Sequence, residues 1–295
     1  MAKTPPILFI IFNRPDHTSR VFEAIRKARP QQLFIAADGA RINKVGEKEL
    51  CEVTRSVVNK IDWQCEVKTR FQDKNLGCKQ NVSGSITWFF ENVESGIILE
   101  DDCLPVPSFF PYCAELLERY KNNTKVMHIN GSNFLKSSEI TDPKYSYRFS
   151  DLPQIWGWAT WKRAWEKYDI SMNHLDEMSS KHGYLKFLLK HLKHVRDKNT
   201  DTWDAQWQYT TLYQNGYAII PNTNLVENIG FGSEATHTKG FNDINIPVSD
   251  MVFPLKHPLN VNIDNKADIR LVRKIYIKNV LQKIILRLKL ILIHK

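Results

Sequence analysis

The chain has 295 residues, enough for one large domain or two modest ones around a sizeable core. An apolar fraction of 42% and a charged fraction of 25% are those of a soluble globular protein, and they exclude a disordered or multiply membrane-spanning chain. The formal charge is +9, but seven of the cations lie within residues 271–295 with no acid among them; without those seven the remainder carries only +2, so no nucleic-acid partner is expected.

Along the first 130 residues two kinds of segment alternate. Short apolar runs at 7–12, 33–37, 66–71, 97–99 and 126–129 read as buried strands. Between them, apolar residues recur at helical spacing: Val21, Phe22 and Ile25; Leu50, Val53, Val57 and Val58; Val82, Ile86, Phe89, Phe90 and Val93; then Phe109, Phe110, Cys113, Leu116, Leu117 and Tyr120, with Pro107 suited to a first turn. Strict alternation predicts an α/β class with a mostly parallel sheet flanked by helices, a Rossmann-like half over 1–135.

From about residue 145 the pattern changes to aromatic clusters, with helices expected near 161–167, 184–195 and 203–215 and a strand at 217–220. Residues 136–265 are expected to be a helical and aromatic acceptor lobe of the same domain, and 266–295 a basic apolar tail. That tail either meets anionic lipid headgroups or docks as a helix on the domain. Five cysteines without a CxxC pair suit a reduced compartment. The N-terminal apolar run is too short for a signal segment, and no window reaches the roughly 18 apolar residues that span a bilayer. A cytoplasmic protein is expected, peripheral to the membrane if the tail binds lipid.

The unusual polar residues fall at strand ends. The first strand runs into Asn13-Arg14, the second into Asp38-Gly39, and the fourth into Glu100-Asp101-Asp102. Ligands of open parallel sheets bind outside the carboxyl ends of the strands. There is neither a GxGxxG nor a GxxxxGK[ST] loop to cradle phosphates through backbone N–H groups. A diphosphate would therefore need a metal, and Mg2+ or Mn2+ prefers carboxylate oxygen. The alternative is a solvated acidic turn. However, apolar residues run straight into the triplet, so its like charges start at the edge of the core and repel unless a cation is supplied.

Further candidates lie downstream. Asp204, flanked by Trp203 and Trp207, suits a general base, and an Asp there equally suits a helix cap. Lys79 follows Asn75-Leu76-Gly77, where a helix N-terminus would favour a phosphate; it is otherwise a solvated lysine. Trp158, Trp161, Trp165 and Tyr168 have the spacing of a buried helical stripe, while Trp156 and Trp158, flanking Gly157, are the candidate sugar-stacking pair, with Trp203 a further sugar or acceptor contact. Asn130-Gly131-Ser132-Asn133 would bind acceptor hydroxyls or simply turn.

These residues resemble the nucleotide-sugar domain of GT-A glycosyltransferases, whose acidic DxD-type motif ends a central strand and holds Mn2+. The motif Glu100-Asp101-Asp102 resembles that of inverting enzymes of the N-acetylglucosaminyltransferase I type and their bacterial relatives, with Ile11-Phe12-Asn13-Arg14, Ala37-Asp38-Gly39, Asn75-Leu76-Gly77, Trp156-Gly157-Trp158 and Trp203-Asp204 as further matches over roughly residues 5–237. The resemblance implies that Arg14 and Asp38 hold uridine, Glu100 and Asp101 contact ribose and the transferred sugar, Asp102 is the main metal ligand, His237 completes the metal shell, and Asp204 is the catalytic base. It implies a UDP-sugar donor, UDP-N-acetylglucosamine by default, and a glycan or lipid-linked saccharide acceptor. The chain lacks the N-terminal anchor of the eukaryotic relatives, which favours surface polysaccharide synthesis at the cytosolic face. A sugar-nucleotide pyrophosphorylase would carry a glycine-rich, basic N-terminal loop that is missing here. The rival by class is a non-enzymatic membrane-associated scaffold acting through its basic tail.

Overall fold

Residues Ile7–Ile11 form β1, and all five are buried because the strand has helices on both faces. The computed structural model describes residues 3–179, 183–230 and 246–277. After β1 come α1 (Pro15–Ala28), β2 (Gln32–Ala37), α2 (Glu47–Arg55), β3 (Glu66–Phe71), α3 (Gly77–Phe90), β4 (Ser95–Glu100) and β5 (Cys103–Pro105). The chain continues through α4 (Phe109–Arg119), β6 (Val126–Asn130), β7 (Tyr147–Ser150), β8 (Trp158–Trp161), α5 (Lys162–Trp165), α6 (Leu185–Asp197) and α7 (Asp204–Tyr213). Strands β9 (Tyr217–Pro221) and β10 (Val226–Asn228) and helix α8 (Asn265–Ile275) follow.

Eight strands make one sheet in the order β3-β2-β1-β4-β8-β6-β9-β7. Six of them run one way; β8 is antiparallel to both its neighbours, and β7 is antiparallel to β9. The α/β class with a mostly parallel, helix-flanked sheet is the one the alternation predicts. The strand order reverses between β1 and β4, and Ile11 pairs with Ala37 while Ile10 pairs with Glu100. The ends of β1, β2 and β4 therefore lie on one rim at a topological switch point, where such sheets place their ligands.

Period-two alternation divides the core. Ile7, Phe9 and Ile11 pack in the cluster that holds Val21, Phe22 and Ile25 of α1 and Phe109, Cys113 and Leu116 of α4. Leu8, Ile10, Phe34 and Ile98 belong to a second cluster with Val82, Ile86 and Phe89 of α3. Each such side chain stabilises the fold by about 1.5–3 kcal/mol on burial. A third cluster sits under α6, α7 and α8.

Three expectations need correction. The 158–168 stripe is not one helix: Trp158 to Trp161 is strand β8, which places Trp158 in the α3-side cluster and Trp161 in the α4-side cluster, on opposite faces. The Thr160 hydroxyl donates to the Met127 carbonyl inside the sheet, and the helix begins only at Lys162. In α2 the buried residues are Glu47, Cys51 and Thr54, whereas Leu50 and Val53 face solvent. There the face is chosen by the Glu47 carboxylate, which accepts from Asn13 and Arg41. Strand β3 is the sheet's edge and is only partly buried.

Of the two readings of the tail, docking describes its start. Helix α8 buries Ala267, Leu271 and Val272, Asp264 caps it at the Ala267 amide, and Lys274 donates to the Phe134 carbonyl. Residues 278–295, the rest of that tail, lie outside the described residues. No helix among the described residues is long and apolar enough to cross a membrane.

Candidate active site

Strand β4 delivers Glu100 at its last position, and the two aspartates follow before β5 begins. From the end of β1 the Phe12 amide donates to Asp101 Oδ2 at 3.2 Å. Arg14 lies 3.1 Å from Asp102 Oδ2 and 3.7 Å from Asp101 Oδ1, so one guanidinium bridges two carboxylates. Burial, then the Asp102 charge, pushes the Asp101 carboxyl up to about 7, with Arg14 opposing. Glu100 is pushed well above the carboxylate range by burial and then by Asp102, Asp101 and Asp204. Three neighbouring carboxyl groups with one arginine beside them therefore resist ionising together.

Asp102 is the more accessible of the two aspartates, its side chain 22% exposed against 11% for Asp101. Its carbonyl accepts from the Ile229 amide at 2.8 Å, which brings the exit of β10 across it. A Cβ on Gly230 would lie 2.5 Å from Asp102 Oδ2, so a side chain there would push the Asp102 carboxylate aside. His17 meets the Ile229 carbonyl at 3.0 Å from the other side.

Asp204 opens α7, and its charge reaches Glu100. The N-cap residue is Trp203, and no side chain caps that helix; Asp204 instead accepts from the Thr202 hydroxyl. The structure thus brings Arg14, Glu100, Asp101, Asp102 and Asp204 into one electrostatic neighbourhood.

Other candidates have different employment. Asp38 is buried, and its carboxylate accepts from the amides of Gly39, Leu76 and Gly77 at 2.9, 2.8 and 3.1 Å and from Asn75 Nδ2 at 3.1 Å. Its oxygens fasten the turn before α3, and burial raises its pKa in spite of those donors. At Lys79, the first amides of α3, those of Cys78 and Lys79, donate to the Asp201 carboxylate, and Lys79 Nζ donates to Asn199 Oδ1 at 2.9 Å. The stacking expectation is corrected at Trp158 and Trp203. Both are buried, stacked on each other with centroids 5.7 Å apart, and neither offers a ring face to a ligand. Trp156 is half-buried and packs edge-to-face on Phe134 at 4.7 Å, so of the three it alone reaches the surface. Asn130, Ser132 and Asn133 are buried, with Asn133 tied to Arg148, Asn222 and Asn224. His237 lies outside the described residues.

Residues the sequence reading missed surround Asp204. Its charge reaches Cys78, Tyr168, His191 and Tyr276. Burial pushes the Cys78 thiol up strongly, with Glu100, Asp204, Asp201 and Asp38 adding to it. The turn-forming run Asn199-Thr200-Asp201-Thr202, just before Trp203-Asp204, was the available signal for Asp201.

Among the described residues, no group of three or more His, Cys, Asp or Glu is arranged to hold a metal ion. The donor chemistry of Asp101 and Asp102 nevertheless fits a hard divalent cation, because two carboxyl groups with oxygen donors lie side by side at one guanidinium.

No protein-family model and no curated protein matches the chain. Among solved structures, it is similar to HddC from Yersinia pseudotuberculosis, with 9% identity, a TM-score of 0.35, and coverage of 59% of this chain and 87% of that one. It is also similar to a "Putative Glucose-1-Phosphate Thymidylyltransferase" from Bacillus anthracis in complex with sucrose, with 11% identity, a TM-score of 0.33, and coverage of 59% and 76%. Superpositions this loose have no bearing on the activity of this chain.

Proposed function

We propose that the protein is a nucleotide-diphospho-sugar glycosyltransferase that moves a sugar from a UDP-sugar to an acceptor hydroxyl by direct, inverting displacement. The observation that carries this reading is the rim at the β1/β4 switch point, where two of three consecutive carboxyl groups meet one guanidinium and the charge of Asp204 reaches the third, Glu100.

Asp102, the more open of the two aspartates beside Arg14, is the residue to hold a divalent cation, Mn2+ or Mg2+, with Asp101 beside it. Bound there, the cation would act as a Lewis acid on the departing diphosphate. Arg14 contributes a second positive charge and orients both aspartates. Glu100, driven towards its protonated form, can donate a hydrogen bond to a sugar or ribose hydroxyl as well as accept one. Asp204 takes the proton of the attacking hydroxyl. Asp38 supports the site through the turn before α3, and Trp156 supplies the aromatic contact to a saccharide. The acceptor we infer is a glycan or lipid-linked saccharide used in surface polysaccharide or glycolipid synthesis.

Calorimetry with UDP, with and without Mn2+, tests the donor half. Binding is expected only with the metal, and it should weaken roughly a hundredfold in Asp102→Asn. Asp204→Asn should keep that binding and lose turnover in a panel of UDP-sugars. UDP binding indifferent to both Mn2+ and Asp102 would remove the basis of the proposal.

A further inference from the structure

The loop between α6 and α7, which leads to Asp204, is fastened to the start of α3 by side chains at both its ends. Asp201 is exposed, yet its carboxylate accepts from the Cys78 amide at 3.0 Å and the Lys79 amide at 2.8 Å, more than 120 residues earlier in the chain. Two residues before it, Asn199 Oδ1 accepts from Lys79 Nζ at 2.9 Å. One residue after it, the Thr202 hydroxyl donates to the Asp204 carboxylate. Gly77 belongs to the same joint: its φ is +80°, and a Cβ there would lie 2.8 Å from Asp201 Oδ2.

None of these bonds caps α7, which starts at Asp204 with no side-chain cap. Their common effect is to set where α7 begins relative to α3, and α3 is itself held to the end of β2 by the Asp38 carboxylate. The joint thus links the strand ends that form the acidic rim to the helix that carries the base. Misplacing a reacting group by about 1 Å costs on the order of a hundredfold in rate, so a loop bearing such a group needs a fixed anchor.

We propose that Asp201 is a positioning residue: together with Lys79 it docks the α6–α7 loop on the α3 N-terminus and so fixes where Asp204 stands at the start of α7. The inference rests on the reading of Asp204 as the base. The carboxylate acts through geometry and touches neither donor nor acceptor. Lys79 serves the same joint through its bond to Asn199.

The test uses the full chain, Mn2+, and the UDP-sugar that the wild type hydrolyses fastest. In Asp201→Ala, amide exchange at Cys78 and Lys79 should rise about tenfold or more. The UDP dissociation constant with Mn2+ should stay within about twofold, and kcat should fall at least about tenfold. Asp201→Asn, which keeps an acceptor oxygen, should recover part of kcat, and Lys79→Met should show a smaller loss with the same split between kcat and UDP affinity. Wild-type kcat in Asp201→Ala beside an inactive Asp204→Asn overturns this inference alone. A fully active Asp204→Asn overturns the base assignment and this inference with it. Unchanged exchange at Cys78 and Lys79 in Asp201→Ala also overturns it, because the tether would then be absent in solution.

Discussion

Asp101 and Asp268 are both buried aspartates, and burial pushes both up to about 7, but they face opposite surroundings. Asp268, on α8, receives the Ser150 hydroxyl at 2.6 Å and the Asp151 amide at 2.9 Å, and the charge of Asp151 beside it is opposed by the buried Arg148. Its donors come from the chain itself, and it joins the end of β7 to α8. Asp101 has one amide and a shared guanidinium, and on either side of it stands another carboxylate. A carboxylate supplied with donors by its own fold is a structural joint, whereas carboxylates crowded against each other imply charge brought from outside. Burial and pKa alone would have classed the two together; their neighbours distinguish them.

Four measurements can break or sharpen that contrast. Asp268→Ala leaves a buried hydroxyl and a backbone amide without their acceptor, so unfolding free energy should fall by about 3 kcal/mol while Mn2+-dependent UDP binding stays intact; urea denaturation and calorimetry read the two. Asp102→Asn should do the reverse, weakening UDP binding with Mn2+ roughly a hundredfold with no loss of thermal stability, since it relieves repulsion. The third uses pH. An aspartate whose folded pKa is raised contributes stability that is complete below its unfolded value near 4 and is lost as pH rises through about 7. Unfolding free energy should therefore decline across that window, and Asp268→Asn should flatten the decline by on the order of 4 kcal/mol. The smallest effect is expected from Gly230→Ala, whose methyl group would press on Asp102; UDP binding with Mn2+ should weaken by roughly tenfold at nearly unchanged stability. Wild-type binding in Gly230→Ala would show that Asp102 moves freely.

Most of the first half of the fold was legible because β1, β2 and β4 are buried on both faces and α1, α3 and α4 on one. Runs such as 7–12 and the spacing of Val82, Ile86 and Phe89 carry that directly. The acidic rim was legible for the same reason, since the apolar run of β4 gives its end away. Strand β8 was not: Trp158 and Trp161 three apart fit a helix, and only their partners β4 and β6, distant in sequence, impose a strand. The fates of Asp38 and Lys79 were illegible too, because both are decided by residues remote along the chain, Leu76 and Gly77 for one, Asn199 for the other. Sequence located the charges but could not say which of them the protein would use on itself.

The placement of β8 has a consequence for how the protein is made. Strand β4, which ends in the acidic cluster, has β1 on one side and β8 on the other, and β8 leaves a ribosome some sixty residues later. Until then the open flank of β4 presents bare backbone amides and carbonyls, an invitation to mispairing with another nascent chain. Synthesis halted near residue 135 should therefore yield an aggregation-prone fragment, and the site matures only once its central strand has been enclosed from both directions.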